Sequence, residues 1–119
     1  MTDAAALEAL GIDPAEGLAY CADDPEFYEE MLAEYLNEGG DGLNGLSQDH
    51  EAQNWGGYRI RVHSLKNTSR MIGAAGLSER SFALETAAKE GRLAEMGAEH
   101  AAFLAEYRAL LDGLRRLLG

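Results

Sequence analysis

His63 lies in the run Val62-His63-Ser64-Leu65-Lys66-Asn67-Thr68-Ser69-Arg70-Met71-Ile72-Gly73, with a lysine three residues after it and a glycine ten residues after it. An imidazole is a nucleophile when neutral, and it is the side chain whose ordinary titration range spans neutral pH. Ammonium and guanidinium groups beside it can pair with the oxygens of an anion. Residues 54–80 supply Arg59, Arg61, Lys66, Arg70 and Arg80 against Glu79 alone, whereas residues 1–53 hold fourteen Asp and Glu and no Lys or Arg. A basic stripe centred on a histidine, in a chain of formal net charge −11, is a candidate anion site. The anion that suits a nucleophilic nitrogen ringed by cations is a phosphoryl group carried on the histidine. Its transfer asks mostly for positioning and charge neutralisation, so an open helix face can host it.

On a helix advancing about 100° per residue, Arg59, Lys66, Asn67, Arg70 and Ala74 all fall within about 60° of His63. Tyr58, Val62, Leu65, Ser69 and Ile72 form the stripe roughly opposite and should face a core. His63 is therefore expected to project outward. Ile60, Ser64, Asn67 and Met71 occupy the adjoining flank, where apolar Ile60 and Met71 among polar neighbours have the makeup of an interface core with a charged rim. They are equally read as tolerated surface apolars. The basic stripe also has a plain reading, as a solvated face paired with glutamates of a neighbouring helix.

The elements that must position this face are well punctuated. Twenty Ala and seventeen Leu stand against one Val, three Ile and three Thr, a bias toward helix and away from sheet. Asp13-Pro14 and Asp24-Pro25 each set a capping acceptor before a proline at the first helical position. They predict a short helix over 14–20 and a longer one over 25–52, bent or interrupted near Gly39, Gly40, Gly42 and Gly45. Further helices are expected over 54–72 (closed by Gly73), 77–90 (closed by Gly91) and 93–118, with a short leading helix over 2–10. The fold expected is all-α. One domain spans 1–119, with short leading helices over 1–22 and an antiparallel four-helix bundle over about 25–118.

Composition limits the partners. The acidic balance disfavours nucleic acid and anionic membranes, and no run of about eighteen apolar residues is present to span a bilayer. The N-terminus lacks signal-peptide regions, and the single cysteine, Cys21, fits a reducing compartment, so a cytoplasmic setting is expected. Cys21 reads as a small buried apolar residue rather than a nucleophile. His50 and His100 stand on other helices than His63, and His100 reads as a packed, hydrogen-bonded core histidine, so no metal site is expected. Gly39-Gly40-Asp41-Gly42 lacks the Gly-Lys-Ser/Thr ending of a phosphate-cradling loop. Trp55 and Tyr58 read as core or helix-start staple, and the acidic run from Asp23 to Glu38 as a solvated face or a partner-orienting patch.

With His63, Leu65, Lys66 and Gly73 at zero, +2, +3 and +10, the segment resembles histidine-containing phosphotransfer (HPt) domains. Gly73-Ala74-Ala75-Gly76-Leu77-Ser78, Leu84-Glu85-Thr86-Ala87, Asp23-Asp24-Pro25-Glu26-Phe27-Tyr28 and His100 with Tyr107 also look like the family's pattern. The resemblance runs from about Gly11 to Leu117. It implies that His63 is phosphorylated and that Lys66 neutralises the phosphate. Arg59 and Arg70 join the site from helical geometry alone. The implied partners are response-regulator receiver domains and a hybrid sensor histidine kinase. No cofactor of its own is implied, Mg²⁺ belonging to the receiver, and a monomer is expected. Asn67 departs from the family, which usually has glycine there to keep the approach to the histidine open. Its amide can donate to a phosphoryl oxygen, or it can slow transfer. The alternative function is thus an HPt-like module that binds receivers without efficient phosphotransfer. A bundle enzyme using His63 as general base is disfavoured, since only cations are visible around it.

Overall fold

Six helices make up most of the described residues in a computed structural model that describes residues 2–119. They are α1 (Ala4–Ala9), α2 (Pro14–Tyr20), α3 (Pro25–Glu51), α4 (Trp55–Met71), α5 (Ala75–Lys89) and α6 (Leu93–Leu118). No strand occurs among the described residues, and none of their helices is long and apolar enough to cross a membrane. The capping acceptors act where the sequence puts them. The Asp13 carboxylate accepts from the Glu16 N–H at 3.2 Å, and that of Asp24 from Glu26 and Phe27 at 3.0 and 3.3 Å. Asn54 closes the start of α4 by accepting from the Gly57 N–H at 3.2 Å.

Helices α3 to α6 form the bundle, each packed on the next and α6 packed back on α3. Paired residues show that neighbours run in opposite directions. Tyr35, early in α3, shares a 2.8 Å hydrogen bond with Ser69, late in α4. The Ser78 hydroxyl, early in α5, donates to the Lys66 carbonyl of α4 at 2.8 Å. His50, at the end of α3, stacks on His100 near the start of α6 with ring centroids 3.7 Å apart. Ser78 and Ser81 are buried on α5, which the apolar pattern alone did not predict; their hydroxyls are satisfied by backbone carbonyls at 2.8 Å.

The expected break in α3 is absent, and one helix runs from Pro25 to Glu51. Its glycines permit close approach instead of disorder. A Cβ on Gly39 would lie 2.4 Å from a Leu111 methyl, one on Gly42 3.0 Å from the Tyr107 hydroxyl, and one on Gly45 2.2 Å from the Arg61 guanidinium. Each costs about 1 kcal/mol of helix propensity, which the packing of α6 and of Arg61 against the bare backbone offsets.

The first turn of α3 and the capping residue of α2 seal the far end of α4. The Tyr28 hydroxyl donates to the Ile72 carbonyl at 2.8 Å, and the Asp13 N–H donates to the Gly73 carbonyl at 2.9 Å. Gly73 takes φ +89, and the Ala74 and Gly73 N–H groups close the helix onto the carbonyls of Ser69 and Arg70 at 2.8 and 3.0 Å. A side chain at Gly73 would also meet the Asp13 carbonyl oxygen at 2.1 Å. Because α4 ends at Met71, Ala74 does not continue the outward face; it is buried in the turn.

Candidate functional site

α4 turns Tyr58, Val62, Leu65 and Ser69 into the core, which leaves His63 outward with 55 % of its side chain exposed. Its Nδ1 is hydrogen-bonded to one carboxylate oxygen of Glu85, on α5. The other oxygen of Glu85 accepts from the Lys66 ammonium at 2.8 Å, and that ammonium lies 3.5 Å from His63 Nδ1. Burial raises the proton affinity of Glu85, but hydrogen bonds from Lys66 and His63, and their charge, outweigh it and hold the carboxyl below its ordinary range. The site is thus a carboxylate bridging a histidine and a lysine, not a field of cations alone. The resemblance to the plain reading is partial: Lys66 does pair with a glutamate of the next helix.

Two clefts open on either side of the histidine. One, of about 660 Å³, is lined by Arg59, His63, Lys66, Phe82, Glu85, Thr86, Lys89 and Glu90. The other, of about 430 Å³, is lined by Gly56, Arg59, Ile60, His63 and Glu85. Ile60 is 71 % exposed and Phe82 56 %, so a large apolar side chain stands on each side of the imidazole.

The remaining residues of the basic stripe divide. Arg59 lines both clefts, and neither it nor Arg70 is in an ion pair among the described residues. Arg61 instead ties α4 to α3 through Asp49 at 2.8 Å, and Arg80 ties α5 to α6 through Glu106 at 2.7 Å. Asn67 and Arg70 are exposed and Met71 is half-buried at the helix end. Ser64 lines a separate groove of about 120 Å³ toward α3, with Arg61, Thr68 and Tyr107 among its neighbours.

Phe82, Glu85 and Lys89 were not singled out from sequence, although Glu85 stood inside a segment quoted for its resemblance. Their steps of three and four put them on one face of α5, but which face of which helix meets His63 is a packing fact. The half-buried pair of His50 and His100 is separate from this site. The Tyr58 hydroxyl and His100 Nδ1 are 2.9 Å apart, and burial, with the proximity of His50, pushes the His100 pKa down to about 4. No group of three or more His, Cys, Asp or Glu side chains is placed to hold a metal ion among the described residues. Cys21 is fully buried and unpaired.

The family model described as the Hpt domain matches residues 30–118, which contain the whole His63 site and all of α4, α5 and α6. No curated protein and no solved structure gives a significant match. A family match over three quarters of the chain, on a ring of helices with an exposed histidine on one of them, shows that the chain belongs to the Hpt domain family, whose members take part in histidine phosphotransfer in two-component signalling.

Proposed function

We propose that the chain is a phosphorelay intermediate in which His63 reversibly carries a phosphoryl group exchanged with an aspartate of a receiver domain. The observation that carries this reading is the bond between His63 Nδ1 and Glu85. An ionised carboxylate only accepts, so Nδ1 holds the ring proton and Nε2 keeps the lone pair. In acceptance, that lone pair attacks the phosphorus of an aspartyl phosphate. The P–O bond to the aspartate breaks and its electrons return to the carboxylate. The ring then bears a positive charge, which Glu85 balances. Return transfer reverses each step.

Lys66 neutralises the phosphoryl oxygens, with Arg59 and Arg70 adding charge at the rim and Asn67 presenting an amide donor. Ile60 and Phe82 supply the apolar contacts of the receiver interface, with Ser64 and Met71 toward its edge. A hybrid sensor histidine kinase feeds the relay, and the Mg²⁺ of the reaction stays with the receiver.

Incubation with a phosphorylated receiver tests the assignment. The wild-type chain should take up acid-labile, base-stable label and His63→Gln none, with helix content unchanged by circular dichroism. Lys66→Ala should still take up label, more slowly. Label on His63→Gln would reject His63 as the carrier. Asn67, exposed one turn beyond His63, favours one other reading: if the wild type takes no label from any active receiver while Asn67→Gly does, the chain is a receiver-binding module.

A further inference from the structure

Phe82 is a large aromatic side chain left 56 % exposed, and what it covers is a charge. The Lys66 ammonium lies 5.2 Å from its ring centroid, within the range where the negative face of a ring attracts a cation. The Lys66 side chain is only 17 % exposed, unusual for a long flexible stem on a helix surface. Phe82 and Glu85 are three residues apart on α5 and so approach Lys66 from one helix face.

We propose that Phe82 is a positioning residue for phosphoryl transfer, holding the Lys66 ammonium beside His63 before the phosphoryl group arrives. The inference rests on His63 being the carrier. Glu85 also holds Lys66, at 2.8 Å, but it does so by occupying one of the ammonium's three N–H groups. The ring confines the ammonium without taking a directed N–H donor from it. Lys66 can then turn from the carboxylate toward the arriving oxygens while its stem stays ordered. A donor whose stem is already ordered beside the ring needs only that small turn at the moment of transfer, which is where such groups act most strongly.

Phosphoramidate, a small phosphoryl donor, tests this on the full chain without a receiver. The His63 Nε2 lone pair forms the new N–P bond, and the donor's own P–N bond breaks as ammonia leaves; phosphorus NMR follows the product. Phe82→Leu keeps apolar bulk and removes the π face, so the rate at saturating donor should fall about two- to fivefold, the size of an exposed cation–π contact. Phe82→Tyr, which keeps the ring, should stay within about twofold of wild type on the same basis. In a Lys66→Ala background, Phe82→Leu should change nothing further. Equal slowing with and without Lys66 would mean that Phe82 acts through packing, and overturns the proposal. A wild-type rate in Phe82→Leu overturns it as well, leaving His63 as carrier. A wild-type chain that takes no phosphoryl group overturns the carrier reading and this one together.

Discussion

His63 and Glu85 meet across the α4–α5 interface, the imidazole Nδ1 hydrogen-bonded to a carboxylate whose other oxygen holds Lys66 at 2.8 Å. One acidic residue thereby fixes both the proton on the ring and the nearest cation. It also explains how a carboxylate can sit in a site built for an anion: its charge is already balanced by the Lys66 ammonium it holds.

Replacing that carboxylate separates orientation from charge. Glu85→Gln keeps an oxygen that can accept from Nδ1 but cannot balance the charged ring, so phosphoryl acceptance should slow by about tenfold, near the value of one hydrogen bond to a charged group. Helix content should not change. The lowered proton affinity of Glu85 carries a sign as well. Its contribution to stability is present above the ordinary carboxylate range and is lost as pH falls through the lowered folded value. Urea midpoints of wild type and Glu85→Gln should therefore converge in acid; parallel curves down to pH 3 would show that the carboxylate adds no pH-dependent stability.

Asn67→Gly should accept phosphate as fast as wild type or faster, because it opens the approach to the ring. It should lose about 0.5–1 kcal/mol of stability through helix propensity. Rate and urea midpoint measured on one preparation check both halves, and a slower variant would assign the amide to the phosphoryl oxygens.

The glycines of α3 give a contrast within one turn. Gly40 has open space around a new Cβ, so Gly40→Ala should stabilise by about 1 kcal/mol. Gly39→Ala drives a methyl to 2.4 Å from Leu111 in the core, and overpacking of about 1–3 kcal/mol exceeds the propensity gain. Thermal midpoints moving the same way would contradict the packing of α6 on α3.

His100 sets a second pH dependence, independent of the phosphoryl site. Its folded pKa of about 4 lies below the ordinary 6.5, so between those values the unfolded chain binds more protons. Stability is fully present above about pH 6.5, falls as pH drops, and stops falling from this source below about pH 4. His100→Phe should flatten that slope between pH 6.5 and 4 in thermal melts; an unchanged slope would assign it to other groups.

Much of this molecule is legible from its residues. Asp–Pro pairs and Gly73 punctuate the chain, and the stripe Tyr58, Val62, Leu65, Ser69 dictates which way His63 points. The glycine-rich half of α3 misleads because propensity counts only the helix's own backbone, while Leu111, Tyr107 and Arg61 reach those glycines from elsewhere. The same limit hides Glu85 and Phe82. Each is unremarkable on α5, and only the register of α5 against α4, fixed in part by Ser78 on the Lys66 carbonyl, gives them a role. Arg61 and Arg80 add to the basic balance of residues 54–80 because charge can be counted along a chain, whereas its pairing with Asp49 and Glu106 cannot be read there.

The family boundary at residue 30 falls inside α3, yet the carbonyls of Ile72 and Gly73 are met by Tyr28 and Asp13, which lie outside it. A fragment cut at that boundary would keep every residue of the phosphoryl site and lose the clasp on the end of the helix that bears it. Two carbonyls would be released to water, and Gly17, which packs beneath Tyr28 and the Ile72 carbonyl, would go with them. For this chain the smallest faithful fragment therefore reaches back through α2 to its capping Asp13, and activity measured on a shorter excision would report a frayed carrier helix.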